Sequence, residues 1–183
     1  MSVIGDDPDQ GRLVDRFAAV CTAAAERGIQ PCLEFFVYSQ VQTLAVALRI
    51  LDRAAQPGAA LLIDPLHIQR SGGTAAVLAA VPAHRLPYLQ LCDAPLLPIW
   101  PDPTAARVES RTDRLLPGDG ELPLLDLLAA MPLDAALSAE TPVARLAHLP
   151  VAERARLAFA AMSRLLEAAN RQAGTSARTQ GVM

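Results

Sequence analysis

Apolar residues along this chain fall into two alternating kinds of run. Short, nearly unbroken stretches stand at VIG (3–5), PCLEFFV (31–37), AALLID (59–64), PYLQLCD (87–93) and AALSAE (135–140). Each is the length of a strand, and each is bounded by Gly, Pro or charged residues. Between them lie longer stretches whose apolar residues recur three or four apart. Residues 9–27 place Leu13, Phe17, Val20 and Ala24 on one helical face, and 41–55 place Leu44, Leu48 and Leu51 on another. The spacing predicts further helices at 74–81, 122–131 and 151–172. Asp7 followed by Pro8 reads as the start of the first helix, a capping side chain ahead of a proline at the first helical position. Gly28 and the Gln56-Pro57-Gly58 break read as stops. The stretch from Ala94 to about Pro123 reads as a Pro-rich loop. Residues 1–172 form one domain on this reading, and 173–183 a disordered C-terminal tail.

Strands alternating with helices build βαβ units and a parallel sheet. The strands are apolar almost throughout, as expected when both faces of the sheet are covered. Two closures remain open, a doubly wound sheet or a (β/α) barrel. GDDPDQG at 5–11 has the wrong spacing for a dinucleotide fingerprint, and SGG at 71–73 is too short for a phosphate loop.

Composition narrows the chemistry. At 183 residues and 52% hydrophobic, the chain can bury a substantial core as a single domain. Uninterrupted apolar runs stop well short of eighteen residues, so no transmembrane helix is expected. MSVIGDDPDQ lacks the basic and apolar regions of a secretion signal. Cys21, Cys32 and Cys92 have no C-x-x-C spacing and read as free thiols of a cytoplasmic protein. A formal charge of -3 argues against nucleic acid as a partner. All sixteen basic residues are arginine. Without lysine the chain cannot form a Schiff base, hold pyridoxal phosphate as an aldimine, or read phosphate through a P-loop.

The remaining chemistry sits at strand ends. LLIDPLHIQRSGG (61–73) runs from a strand made for burial straight into Asp64 and, three residues on, His67. Glu34 lies in the run before it, Gln90 in the run after, and Glu140 ends the last. In a parallel α/β arrangement the carboxyl ends of all strands face one side, where ligands bind. A single polar residue there commonly caps a helix. Four in succession, three of them carboxylates, repel one another unless a cation sits between them.

The residues LEFF around Glu34, LLIDPLH, YLQLCDAP, RTDRLLPGDGELPL (111–124) and LSAETP (137–142), taken in order, resemble the sugar phosphate isomerase/epimerase family of xylose-isomerase-like barrels. The resemblance implies an α/β fold of the (β/α) TIM-barrel type. It begins at what would be the family's fourth strand, so it implies an incomplete barrel of about five parallel strands, roughly strands 4 to 8. It further implies one divalent metal held by Glu34, Asp64, Gln90 and Glu140. Glu34 and Glu140 would be the proton-transferring pair, with His67 and Arg114 on substrate oxygens and Arg111 a nearby polar contact. Asp93 has a weaker claim. Gln90 stands where many members have histidine. An all-oxygen set favours Mn²⁺ or Mg²⁺ over Zn²⁺, and the shortage of histidines counts against the multi-zinc endonuclease branch. His84 and His148 read as solvent-exposed.

The implied activity is metal-dependent isomerisation or epimerisation of a small sugar or polyol through an enediolate, with the metal as Lewis acid. Alternatives are an inosose-dehydratase-like lyase and a truncated, non-catalytic barrel piece. Open sheet edges would favour homo-oligomers.

Overall fold

A computed structural model describes the backbone of residues 1–180 and the side chains of residues 1–174. Each short apolar run forms a strand: β1 (Ser2–Ile4), β2 (Cys32–Glu34), β3 (Ala60–Ile63), β4 (Tyr88–Leu91) and β5 (Ala136–Ala139). They make one five-stranded sheet in the order β1-β2-β3-β4-β5, every neighbouring pair parallel. This is the incomplete (β/α) barrel expected, an unclosed arc with β1 and β5 at its edges. The strands are shorter than the apolar runs that encode them. Residues 35–37, Asp64 and 92–93 pass beyond the ladder as loop at the carboxyl ends, where the site lies.

Side chains alternate across a strand, which sorts the apolar residues by face. Leu33, Leu61, Ile63, Leu89 and Leu91 turn to the helices and join Leu13, Phe17, Ala47, Ile50, Leu51, Leu78 and Leu127 in the main core. Each such side chain contributes about 1.5–3 kcal/mol by leaving water. Cys32, Ala60 and Leu62, with Tyr88 against them, form a separate small cluster of the opposite parity. The register pairs Ile4 with Glu34, Cys32 with Ala60, Leu62 with Tyr88 and Gln90 with Ser138. Glu34, Gln90 and Ser138 share that second parity, so the polar groups project into the concave side of the arc.

The helices are α1 (Gln10–Ala25), α2 (Leu44–Ala54), α3 (Pro65–Arg70), α4 (Ala75–Ala79), α5 (Pro103–Thr112), α6 (Leu124–Ala129) and α7 (Val151–Gln180). The start of α1 differs from the sequence expectation. Asp9, not Asp7, is the N-cap and accepts from the Arg12 amide at 2.8 Å. Asp7 is taken instead by the Arg12 side chain at 2.8 Å and by Arg16 at 3.2 Å. α5 lies inside the stretch read as loop. Asp102 caps it through the amides of Thr104 and Ala105, with Pro103 in its first turn. It buries only Ala106 and Ser110, so it carries little apolar periodicity to betray it. α7 continues past residue 172, where the sequence reading ended it; of the expected tail, residues 181–183 lie outside the described residues. Among the described residues no helix is long and apolar enough to cross a membrane.

The loop after α5 is fixed by Asp93, a buried residue just beyond β4. Its backbone pairs with Leu115 in both directions, at 3.0 and 2.7 Å. Its carboxylate accepts from the amides of Ala94 (2.9 Å), Leu122 (3.0 Å) and Gly118 (2.9 Å). A Cβ on Gly120 would stand 2.4 Å from Asp93 Oδ1 and 2.6 Å from the Ala94 carbonyl oxygen. Backbone and a locked carboxylate cannot yield as a flexible side-chain tip would. Gly120→Ala is therefore expected to cost about 2–3 kcal/mol, read as a lower urea midpoint; an unchanged midpoint would show that the loop gives way.

Candidate active site

Four strand ends deliver the site. Glu34 closes β2, Asp64 follows β3, Gln90 lies in β4 and Glu140 follows β5. Asp64 is the N-cap of α3: its Oδ1 accepts from the Leu66 amide at 2.8 Å, and Pro65 occupies the first helical turn. That turn carries His67 back over the strand end. His67 Nε2 stands 3.8 Å from Glu34 Oε1 and 3.9 Å from Asp64 Oδ2. One ligand atom each from Glu34, Asp64 and His67 lie within 4.8 Å of one another, and all three residues are buried. Phe36 and Tyr38 wall the imidazole, with ring centroids 5.2 and 6.1 Å from it.

Arg114 enters from the loop after α5 and is only 2% exposed. Its Nη1 donates to Asp64 Oδ2 and, at 3.3 Å, to Cys92 Sγ. Its Nη2 stands 3.0 Å from Glu140 Oε2, an ion contact without hydrogen-bond geometry. Ser110 holds the guanidinium from behind, its carbonyl accepting from Nε at 2.7 Å and its hydroxyl from Nη2 at 3.1 Å. Ser2 on β1 donates to Glu34 Oε2 at 3.0 Å.

The two carboxylates at the centre are pushed in opposite directions. Burial, then the negative charge of Asp64, raises Glu34 to about 7, against a hydrogen bond from Ser2 that pulls the other way. Burial also pushes Asp64 up, but the Arg114 guanidinium, His67 and the Leu66 amide together outweigh it, and its carboxyl stays below the usual range. Burial lowers His67 to about 4, so it is a neutral imidazole near pH 7, as a metal ligand must be. Glu140 is raised by burial and by Asp64, against the pull of Arg114.

The structure thus brings together Glu34, Asp64, His67, Arg114, Gln90 and Glu140 at one end of the sheet. His67, expected as a substrate contact, is the third ligand-capable atom of the tightest cluster. Arg111 is solvent-exposed on the last turn of α5, outside that cluster. His84 and His148 are exposed, as expected. Asp93 is a structural staple. Sequence reading missed Ser2, Cys92 and Ser110. Cys92 stands two residues after Gln90, so strand periodicity alone puts it on the same face. Ser110 sits four before Arg114 on a helix that lacks apolar periodicity.

A divalent cation fits these residues. Two buried carboxylates and a neutral imidazole offer hard oxygens and a nitrogen. The amide oxygen of Gln90 on β4 is buried and has no hydrogen-bond partner among the described residues, an acceptor left open. Cys21, Cys32 and Cys92 are all buried and unbonded to one another.

The sequence profile of the xylose isomerase-like TIM barrel family matches residues 3–168, and the chain belongs to that family. No curated protein matches it. Among solved structures it is similar to a "xylose isomerase-like TIM barrel/4-hydroxyphenylpyruvate dioxygenase fusion protein", with a TM-score of 0.78, 21% identity, and 96% of this chain covering 29% of that one. An IolI protein "with a binding zinc atom" matches with TM-score 0.72 and 20% identity, over 83% of this chain and 54% of the other. An L-ribulose 3-epimerase matches with TM-score 0.67 and 18% identity, over 91% and 57%. At these identities the likeness is one of fold. The chain spans little more than half the length of the last two, and less of the first.

The opposed shifts give metal-free protein a particular pH profile. Glu34 holds its proton more tightly folded (about 7) than at its ordinary 4.5. Its contribution to stability is full below pH 4.5 and lost as pH rises to about 7. His67 falls from 6.5 to about 4, so its contribution is full above 6.5 and lost as pH falls toward 4. Between pH 4.5 and 6.5 the two slopes oppose. In EDTA, urea midpoints of the unaltered chain should change little across that range. Glu34→Gln should leave stability rising with pH, and His67→Asn should leave it falling. Parallel profiles for the two variants would contradict the assignment.

Proposed function

We propose that this chain carries the metal-binding and proton-transfer part of a sugar or polyol isomerase or epimerase. The observation that supports it best is the convergence of ligand atoms of Glu34, Asp64 and His67 within 4.8 Å of one another, beside the Glu140 carboxylate and a Gln90 amide oxygen that has no hydrogen-bond partner among the described residues. Glu34, Asp64 and His67 would hold a divalent cation, with Gln90 or Glu140 completing the set. With an imidazole among the donors, the case for Mn²⁺ or Mg²⁺ no longer rests on an all-oxygen shell, and Zn²⁺ is equally compatible.

A bound divalent cation supplies Lewis-acid stabilisation of negative charge on adjacent substrate oxygens. The chain's own residues supply the rest. Glu34 would take a proton from a carbon beside a carbonyl and give one back. Glu140, partly open to the concave side, is the second proton-transferring carboxylate. Two such groups on opposite faces of the carbon invert it; one group moving a proton between neighbouring carbons isomerises it. Arg114 would steady developing negative charge on substrate oxygens. The aromatic wall of Phe36 and Tyr38 keeps water from the imidazole. Buried, unbonded thiols fit a reducing cytoplasm.

The test is proton exchange into substrate. With divalent metal added, the chain should wash solvent deuterium into L-ribulose or a related ketose, and Glu140→Gln should lower the rate at least 100-fold while binding ketose. Metal binding without exchange would leave a metal site on a non-catalytic barrel piece. Absence of metal binding would remove the proposal.

A further inference from the structure

We propose that Arg114 is the resident counter-cation of the metal-free site and competes with the metal for one oxygen, Asp64 Oδ2; this rests on the metal-binding reading above. The two oxygens of Asp64 are not equivalent. Oδ1 is committed to the fold, accepting from the Leu66 amide at 2.8 Å and from the Cys92 thiol at 3.5 Å. Oδ2 is the oxygen that faces His67, at 3.9 Å, and so the one a cation shared with Glu34 and His67 would use. It is also the oxygen that Arg114 Nη1 already holds. The same guanidinium reaches Glu140 Oε2 at 3.0 Å. One buried monovalent cation thus spans two of the carboxylates that a divalent ion would draw.

Two cations cannot share that fully buried oxygen without strong repulsion. The metal therefore gains Asp64 Oδ2 as Arg114 gives it up. The anchoring of Arg114 allows this. Its Nε bond to the Ser110 carbonyl, at 2.7 Å, and its Nη2 bond to the Ser110 hydroxyl, at 3.1 Å, hold the far edge of the planar guanidinium, so a tilt of the whole plane takes Nη1 off Oδ2 while that edge stays. Glu140, 42% exposed at its side chain, marks the open direction. Metal binding then does more than fill a site: it frees the guanidinium toward the oxygens of an incoming ligand.

The experiment is calorimetric titration of the full chain, stripped with EDTA, with Zn²⁺ and separately with Mn²⁺. Arg114→Met removes the competitor and is expected to tighten metal binding at least tenfold; Arg114→Lys, which keeps the charge, should stay near the unaltered chain. Unchanged or weaker binding by Arg114→Met overturns the proposal while leaving the metal site standing. Binding by neither protein overturns both. Should Arg114→Met fail to fold by circular dichroism, the unaltered chain decides. With ¹⁵N-arginine label, diamagnetic Zn²⁺ should shift the Arg114 guanidinium resonances in step with metal uptake. Uptake without that shift rejects the competition.

Discussion

A fully buried carboxylate needs compensation, and in this fold the compensation of Asp64 organises everything near the site. A buried charge without partners costs several kcal/mol. Asp64 meets that cost through an amide at the start of α3 and through a guanidinium fifty residues further along the chain. Bringing Arg114 there requires the loop after α5 to fold back on β4, which Asp93 enforces through three amides. It also requires α5 itself, since Ser110 holds the other side of the guanidinium. A second, part-buried pair does similar work nearby: Arg70 on α3 grips both oxygens of Glu109 on α5, at 2.8 and 2.6 Å. Strand β3, helices α3 and α5, and the loop after α5 are thus tied together by charge as much as by apolar packing. The ties are of the kind that fail badly when one partner is removed.

Neighbouring carboxylates acquire different characters from this arrangement. Asp64 receives the cation and stays ionised. Glu34, whose carboxylate accepts from the Ser2 hydroxyl, is otherwise left with desolvation and a negative neighbour, and its affinity for protons rises. Two acids on adjacent strands therefore differ, one held ionised and the other with a raised affinity for protons. The difference is set by which of them faces the guanidinium.

The sheet was legible because parallel strands covered on both faces must be written as apolar runs, and all five runs became strands. The strand-end acids were legible for the complementary reason: a charge closing such a run has no apolar explanation. The helices that build the site were harder to see. Asp-Pro marks a helix start at Asp64-Pro65 and at Asp102-Pro103, yet the sequence reading credited it only at Asp7-Pro8, where Arg12 and Arg16 draw Asp7 away from capping. α3 is only six residues long, too short for periodicity to show, and α5 buries little apolar surface. The role of Cys92 and Ser110 around Arg114 depends on contacts between distant segments, which no local pattern encodes.

The unequal commitments of the site residues bear on how such a pocket can diverge over generations. Asp64 serves the backbone of α3 with one oxygen and the Arg114 guanidinium with the other, so any exchange there loosens both ties at once, and selection sees the two as a single trait. Gln90 bonds to nothing through its amide oxygen. A lineage can alter that position at little expense to the hydrogen bonding of the fold, while the scaffold around Asp64 is inherited unchanged.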